Sequence, residues 1–498
     1  MSKDILLYMS DQHAFGLQGY AGNSVVRTPM LDKLAQTGTA MMNAMTPCPL
    51  CVPARASMIS GQLPSNHGVL SNFNAISSDQ ATFLHSLTVS GYETVLCGRM
   101  HFVGPDQRHG YSKRVAGERT PVFHNMLPRI VQSGSPEVVG FDENSSVYYM
   151  GAGDSPVLAY DRYVVDKAVD YLAQDHDRPQ FLTVGTYGPH FPYVAPKELY
   201  DYYYDLVPVD DAQIPEQEHP VLKGKMQETD PEVVRASRAA YYGLVEQQDR
   251  HIETVYNAFQ QYLNRTGREG IFIYISDHGD MNGARGFYGK QVFYEPSVHV
   301  PFVIQGHGIP EGQKIMSPVS LLDIGPTICD LAGAETIKGD GKSIASQILN
   351  SQQDNDRKVI SEMYTYVEDG SSCMGRMVRW NQWKYLTYTG FEDNDMLFNC
   401  EQDPEEQLNV ITKYPEIAET LRSELAGLKS YDEIMVHENW VIKQLRFLMK
   451  CDFDDTTERW QCPSDLETVA NPVKSKKPFE MTKWAVRLRA KIEESANN

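Results

Sequence analysis

Two unbroken apolar runs, far apart in the chain, end in the same way. Ile5-Leu6-Leu7-Tyr8-Met9 delivers Ser10-Asp11-Gln12-His13, and Ile271-Phe272-Ile273-Tyr274-Ile275 delivers Ser276-Asp277-His278-Gly279-Asp280. A short continuous apolar run reads as a strand covered on both faces, and strands of that kind belong to parallel sheets. In open α/β sheets, ligands bind beyond the carboxyl ends of the strands. The two runs therefore predict a mostly parallel, helix-flanked sheet with carboxylates gathered at one edge. Asp11 and Asp277 are candidate ligands for a hard metal ion there. A turn or cap role is the ordinary alternative for an Asp at such a position.

A third feature is the stretch Cys48-Pro49-Leu50-Cys51-Val52-Pro53-Ala54-Arg55, followed by a short apolar run and Gly61. Pro53 suits a first helical turn and Gly61 a helix stop, which places Cys51 at a helix N-terminus. Unpaired N–H groups favour negative charge there, and Arg55 adds a second positive group one turn on. That is a setting for a nucleophile or an anion. A buried core thiol is the competing reading. Cys48 and Cys51 also form a C-x-x-C, but no second such pair completes a zinc site, and the context of a thiol redox protein is missing.

Further along, Tyr92 to Cys97 reads as a strand running into Gly98-Arg99-Met100-His101, and Phe181 to Thr186 as a strand running into Tyr187-Gly188-Pro189-His190-Phe191-Pro192. Helices are expected over Thr28 to Gln36, Ala81 to Val89, Asp161 to Gln174 and Ala239 to Leu263. Residues 107–157 read as a long insertion near the substrate entrance and 200–230 as surface loop. Short strands follow at Met377 to Trp380, Trp383 to Leu386 and Met396 to Asn399, then a helix from Pro415 to Leu428. The chain divides into a catalytic α/β domain (1–350), a smaller antiparallel-sheet subdomain (351–430) and a tail (431–498) suited to packing or to contact in a homo-oligomer.

Taken together, Cys51-x-Pro53-x-Arg55, Gly98-Arg99-Met100-His101, His190-x-Pro192 and Asp277-His278-Gly279 resemble the signature segments of the formylglycine-dependent sulfatases. These belong to the alkaline phosphatase-like superfamily. The segments occur in the family's order over roughly residues 4–425. Asp11-Gln12 resembles its choline-sulfatase-like and phosphonate-hydrolase-like branches alike, and the residues after Arg55 and His101 look most like choline sulfatase. His299 departs from the family, which usually has Arg there. The resemblance implies an alkaline phosphatase-like α/β fold with a small C-terminal antiparallel sheet. It implies that Cys51 is oxidised to formylglycine, whose hydrate attacks sulfur, and that Asp11, Gln12, Asp277 and His278 hold a divalent ion with residue 51. Calcium suits such a site best, with manganese or magnesium as alternatives. Arg55, Arg99 and Lys290 would stabilise the oxyanion, His190 or Lys290 would protonate the leaving alcohol, and His101 would act as base on the hydrate. Arg99, His190 and Lys290 would touch the substrate, a small-molecule sulfate ester such as choline O-sulfate. A formylglycine-generating or anaerobic maturation enzyme is the implied partner.

The formal net charge of −20 argues against nucleic acid or an anionic membrane as a partner. Any anionic substrate must be drawn by local positive charge instead. The run at residues 5–9 is too short for a signal segment, no run reaches membrane-spanning length, and the eight cysteines form no disulfide framework, so a cytoplasmic protein is expected. Two rivals remain. One is a phosphonate monoester or phosphodiester hydrolase on the same fold. The other is a non-catalytic anion- or metal-binding protein, should Cys51 stay unmodified.

Overall fold

The computed structural model describes residues 3–118, 150–209, 215, 218–227 and 230–448. Its main sheet takes, in chain order, β1 (Asp4–Asp11), β2 (Thr39–Met41), β3 (Glu93–Gly98), β4 (Lys113–Ala116), β5 (Gln180–Pro189), β6 (Gly270–Ser276), β7 (Phe302–Gly306) and β8 (Gln313–Ile315). Across the sheet the order is β8-β2-β7-β6-β1-β5-β3-β4. The pairs among β6, β1, β5, β3 and β4 are parallel, and β7 runs antiparallel to both β6 and β2. This is the mostly parallel sheet expected from the two apolar runs.

Both faces of β1 are covered, which is why its run does not alternate. Ile5, Leu7 and Met9 enter one core, packed with α2 (Cys51–Ser60), α3 (Phe83–Val89) and, late in the chain, the helix Ile324–Ala332. Leu6 and Tyr8 enter the other, which is built on α1 (Pro29–Gln36), α4 (Pro156–Leu172) and the long helix Pro231–Thr266. Thr28 precedes α1 without capping it through its side chain. The N–H groups of Met30 and Leu31 are taken instead by the Asp249 carboxylate at 2.9 and 2.8 Å, a cap supplied from a distant helix.

Register carries the important consequence. Ser10 lies opposite Ser276 on the parallel pair β1–β6, so the residues that follow, Asp11 and Asp277, emerge side by side at the carboxyl edge. α2 starts at Cys51 and stops at Gly61, whose φ of 69° is one that glycine takes without a Cβ clash.

The expectation of surface loop over 200–230 fails at its start. Lys197–Tyr204 is a helix (α5), and Leu199, Tyr200 and Tyr203 are buried against the Pro231–Thr266 helix (α6). The run is rich in polar groups, but its apolar positions recur at helical spacing. The helix Ile324–Ala332 is α7. Most of the 107–157 insertion, with Phe123, Tyr148 and Tyr149, and the tail beyond 448, with Trp460, Trp484 and Lys474 to Lys477, lie outside the described residues.

A second sheet follows, with the antiparallel order β9 (Val359–Tyr366), β10 (Ser372–Trp380), β11 (Trp383–Tyr388) and β12 (Met396–Asn399). β9 was not expected, because its period is broken by Ser361 and Glu362, both fully buried polar residues. The helices α8 (Pro415–Ser423) and α9 (Tyr431–Leu448) complete this region. The first residues of the segment assigned to a tail thus form a helix whose Ile434 and Ile442 pack on Tyr364, Tyr366 and Met374. Among the described residues, no helix is long and apolar enough to cross a membrane.

The segment between β6 and β7 meets the second sheet through an apolar cluster that holds Phe287, Phe293 and Tyr294 with Met363, Met377 and Leu386, and through a buried ionic network. Lys384 Nζ, fully buried on β11, lies 2.5 Å from Glu295 and 2.8 Å from Glu406. Arg379 adds 3.1 Å to Glu295, and His299 bonds the other Glu295 oxygen at 2.8 Å while stacking on Phe15. Burial raises the Glu295 carboxyl, but Arg379 and Lys384 outweigh it and hold the group well below the usual range. Breaking one partner of such a network leaves a buried charge unmatched. Lys384→Met is expected to cost about 3–5 kcal/mol, read as a fall in the midpoint of thermal or urea unfolding; a loss below about 1 kcal/mol would show that the network does not hold the second sheet to that segment.

Candidate active site

At the carboxyl edge of the sheet, the Arg55 guanidinium lies between the two strand-end carboxylates. Its Nε donates to Asp277 Oδ2 at 2.8 Å, its Nη2 to Asp11 Oδ2 at 3.1 Å, and its Nη1 to the Arg99 carbonyl at 3.1 Å. Arg99 reaches Asp11 Oδ2 through Nε at 2.6 Å. The guanidinium groups take Oδ2 of each carboxylate; Oδ1 of both faces Cys51 and His278, that of Asp277 also accepting the N–H groups of Gln12 and His278 at 3.1 and 3.0 Å. Burial alone would raise the Asp11 carboxyl. The charges of Arg99, Arg55 and Lys290 together hold it well below the ordinary range.

His278 completes this set. Its Nδ1–H donates to the Gly279 carbonyl at 3.0 Å, so Nε2 presents a lone pair. That nitrogen is 3.1 Å from Cys51 Sγ and 3.7 Å from Oδ1 of both Asp11 and Asp277. The ligand atoms of Asp11, Cys51, Asp277 and His278 all lie within 4.8 Å of one another, and all four residues are buried. Two ionisable oxygens, an imidazole nitrogen in the correct tautomer and the position-51 side chain are a donor set that fits a divalent ion. Burial, with Asp11 beside it, pushes the Cys51 thiol up to about 11. At neutral pH the unmodified side chain is therefore not a thiolate.

The other expected residues surround this cluster. Arg99 spends Nη1 on Glu118 at 3.2 Å and Nη2 on His101 Nδ1 at 2.7 Å, while its guanidinium lies 4.2 Å over the Tyr187 ring. His101 Nδ1 is thus an acceptor and Nε2 carries the proton in this arrangement. His190 has the opposite tautomer. Its Nδ1–H donates to the Phe191 carbonyl at 2.7 Å, and its Nε2 accepts from Lys290 Nζ at 2.7 Å. Burial, then Lys290, moves the His190 pKa well below 6.5, and burial with Arg99 does the same to His101. Lys290 Nζ also donates to Gln12 Oε1 at 2.5 Å. All ten expected site residues are thus brought to one edge, Gln12 with its amide oxygen on Lys290 and its backbone N–H on Asp277.

Three supporting carboxylates were missed by sequence reasoning. Glu118 binds Arg99 and the His101 N–H, the latter at 2.9 Å; it follows an edge strand and carries no local signal. Asp161 accepts the N–H groups of Tyr187 and Gly188 at 2.6 and 2.8 Å. It sits on the inward stripe of α4 with Val157, Val164 and Val165, so a charge on an apolar face was the available clue. A Cβ at Gly188 would come within 2.7 Å of that carboxylate, which is why no side chain fits there. Asp280 accepts from Gln12 and Tyr193, and its place after the second strand marks it in the sequence.

Comparison with known proteins agrees with this geometry. The family model described as Sulfatase matches residues 3–334, and one described as N-sulphoglucosamine sulphohydrolase, C-terminal, matches 283–431. The chain is 32% identical over 432 residues to the choline-sulfatase of Rhizobium meliloti (strain 1021), covering 82% of each sequence. It is 27% identical over 467 residues to arylsulfatase K of Homo sapiens, covering 86% of this chain and 83% of that one. Among solved structures, the phosphonate monoester hydrolase of Agrobacterium radiobacter superposes with a TM-score of 0.70 at 22% identity, over 86% of this chain and 95% of that one. BT1596, a 2-O GAG sulfatase, superposes with a TM-score of 0.67 at 23% identity, over 88% and 93%. Those two likenesses establish the alkaline phosphatase-like fold; the family match over two thirds of the sequence and the 32% identity go further, and by them this chain is a member of the sulfatase family, a sulfuric ester hydrolase.

Proposed function

We propose that the chain hydrolyses sulfate esters of small alcohols, with residue 51 in its formylglycine form as nucleophile and a divalent ion held by Asp11, Asp277, His278 and residue 51. The observation that carries this reading is the buried four-residue cluster whose two carboxylates are oriented by one guanidinium. An ion there, calcium foremost and manganese or magnesium as alternatives, would neutralise sulfate oxygens and acidify a hydroxyl. Formylglycine would supply, as its hydrate, the hydroxyl that a buried neutral thiol cannot.

The roles of the chain's own groups follow from their hydrogen bonds. Arg55 and Arg99 each commit all three guanidinium nitrogens to protein partners. They contribute fixed positive charge and orientation. Lys290 spends two of its three N–H groups on Gln12 and His190, which leaves the third for a substrate oxygen. Of the two expected acids, Lys290 holds the proton in this arrangement and His190 Nε2 is poised to receive it, so the leaving alcohol is protonated by Lys290 directly or through His190. For His101 to act as a base at Nε2, its contact with Arg99 must first be released.

Several points extend the reading. The name of the choline-sulfatase relative supports choline O-sulfate as the first substrate to try. A quaternary ammonium would need aromatic faces; the insertion and tail offer Phe123, Tyr148, Tyr149, Trp440 and Trp460, of which only Trp440, exposed on α9, is among the described residues. The compartment we propose is cytoplasmic, supported by the six described cysteines, all free. A maturation enzyme for Cys51, oxygen-dependent or anaerobic, is the required partner.

Three outcomes are expected. Cys51→Ala and Cys51→Ser each lower sulfate ester hydrolysis by about 10³-fold or more with an unchanged circular dichroism spectrum, and intact mass of the active protein shows the sulfur of residue 51 lost. Near-parental rates in either variant would overturn the nucleophile. Asp277→Ala loses both turnover and bound ion by elemental analysis; full occupancy in the variant would count against the ligand set. Finally, choline O-sulfate is turned over faster than a generic aryl sulfate and than a matched phosphodiester. Equal rates on the two sulfates would remove choline, and a faster phosphodiester would favour the phosphonate monoester or phosphodiester reading.

A further inference from the structure

Asp280 touches three of the segments that build the site. Its Oδ2 accepts from Gln12 Nε2 at 2.6 Å and from the Tyr193 hydroxyl at 2.7 Å. Its Oδ1 accepts from the N–H groups of Asn282 and Gly289, both at 2.9 Å. Four donors on two oxygens leave no place for a proton, so the geometry is that of a carboxylate acting only as acceptor. Gly289 precedes Lys290, Tyr193 follows the His190 segment, and Gln12 sits at the end of β1. Asp280 is fully enclosed, 2% exposed.

The Gln12 amide has two ends of nearly identical shape, and only hydrogen bonding decides which faces inward. With Nε2 held on Asp280, Oε1 must face Lys290 and the cluster. A flipped amide would set Oε1 against a carboxylate oxygen and Nε2 against the Lys290 ammonium, which is wrong at both ends. Gln12 is also held by its main chain, at φ 70° with its N–H on Asp277 Oδ1, so the side chain cannot escape by moving its backbone.

We propose that Gln12 and Asp280 form a charge-exchanged pair: the negative charge that a carboxylate at position 12 would carry is moved to position 280, and it reaches the site as an oriented amide oxygen. This inference rests on the reading that a cation is held beside Gln12. Asp280 is then a positioning residue, acting on Lys290 through Gln12 and the Gly289 N–H. The pairing makes the two positions interdependent. Asp280→Asn must keep its oxygen on the two backbone N–H groups and so turns its Nδ2 toward Gln12 Nε2, donor against donor. Gln12→Glu alone sets two carboxylates together. Combined, Gln12→Glu and Asp280→Asn restore a donor facing an acceptor, and a carboxylate oxygen again faces Lys290.

The test is a double-mutant cycle on the full chain, with two readouts. In the first, proteins stripped of metal with chelator are melted. Each single variant is expected to melt lower than the parent, and the double variant to recover at least half of the larger loss. In the second, calcium alone is titrated into the stripped proteins, and Asp280→Asn is expected to lose affinity tenfold or more while the double variant returns to within threefold of the parent. Additive losses in the melting cycle overturn the pair. Should Asp280→Asn fail to fold, a double variant that folds and binds calcium within threefold supports it, and one that also fails to fold overturns it. If the parent takes neither calcium nor manganese nor magnesium, the cation reading falls while the melting cycle still decides the pairing.

Discussion

Parallel register makes the site and also endangers it. Pairing Ser10 with Ser276 brings Asp11 and Asp277 out of adjacent strands into a region without solvent. Two carboxylates so placed repel strongly at low dielectric. The Arg55 guanidinium, itself 1% exposed, resolves this with one planar group that donates to both. Arginine is suited to the task because its fork is rigid and stays charged. The start of α2 at Cys51 is set by the same requirement. Residue 51 opens the helix and Arg55 follows one turn later, so the reacting side chain and the guanidinium that orients its neighbours share one rigid element.

Much of this architecture was legible in the sequence. β1 and β6 announced themselves because a strand with helices on both faces has no polar side to interrupt it. α2 was readable because proline at its first turn and glycine at its end have specific backbone reasons. The ten expected site residues lie in short segments at strand ends, on α2 and in the loop beyond β6, where local pattern and chemistry coincide, and the fold gathers them at one edge. What escaped were groups whose meaning depends on distant partners. Glu118 is an acid near an edge strand until Arg99 and the His101 N–H are placed against it. Asp249 caps α1 from another helix, so no local cap motif exists to be read. β9 was hidden because Ser361 and Glu362 are buried, and Glu362 is matched by Arg376 at 3.0 Å, a pairing that hydropathy does not reveal.

The tautomers of the histidines are a second-order property that only the fold supplies. His190 and His278 each donate Nδ1–H to a nearby backbone carbonyl and so expose an Nε2 lone pair, whereas His101 accepts from Arg99 at Nδ1 and exposes a proton. The three residues look alike in sequence, each following a strand. Their chemistry diverges because a backbone carbonyl faces Nδ1 of His190 and of His278, whereas the Arg99 guanidinium faces Nδ1 of His101.

The strand order has a kinetic side. β6 lies between β1 and β7 in the sheet, yet most of the chain to residue 270 separates it from β1. An N-terminal portion that already contains Asp11, Cys51, Arg55 and Arg99 has a guanidinium with only one of its two carboxylates, and lacks His278 and Lys290. Closing so long a loop costs entropy before any contact repays it, and non-local pairing of this kind slows folding. Completion of the catalytic edge therefore waits for β6 to pair with β1, because only then does the Arg55 guanidinium gain its second carboxylate and the cluster its histidine.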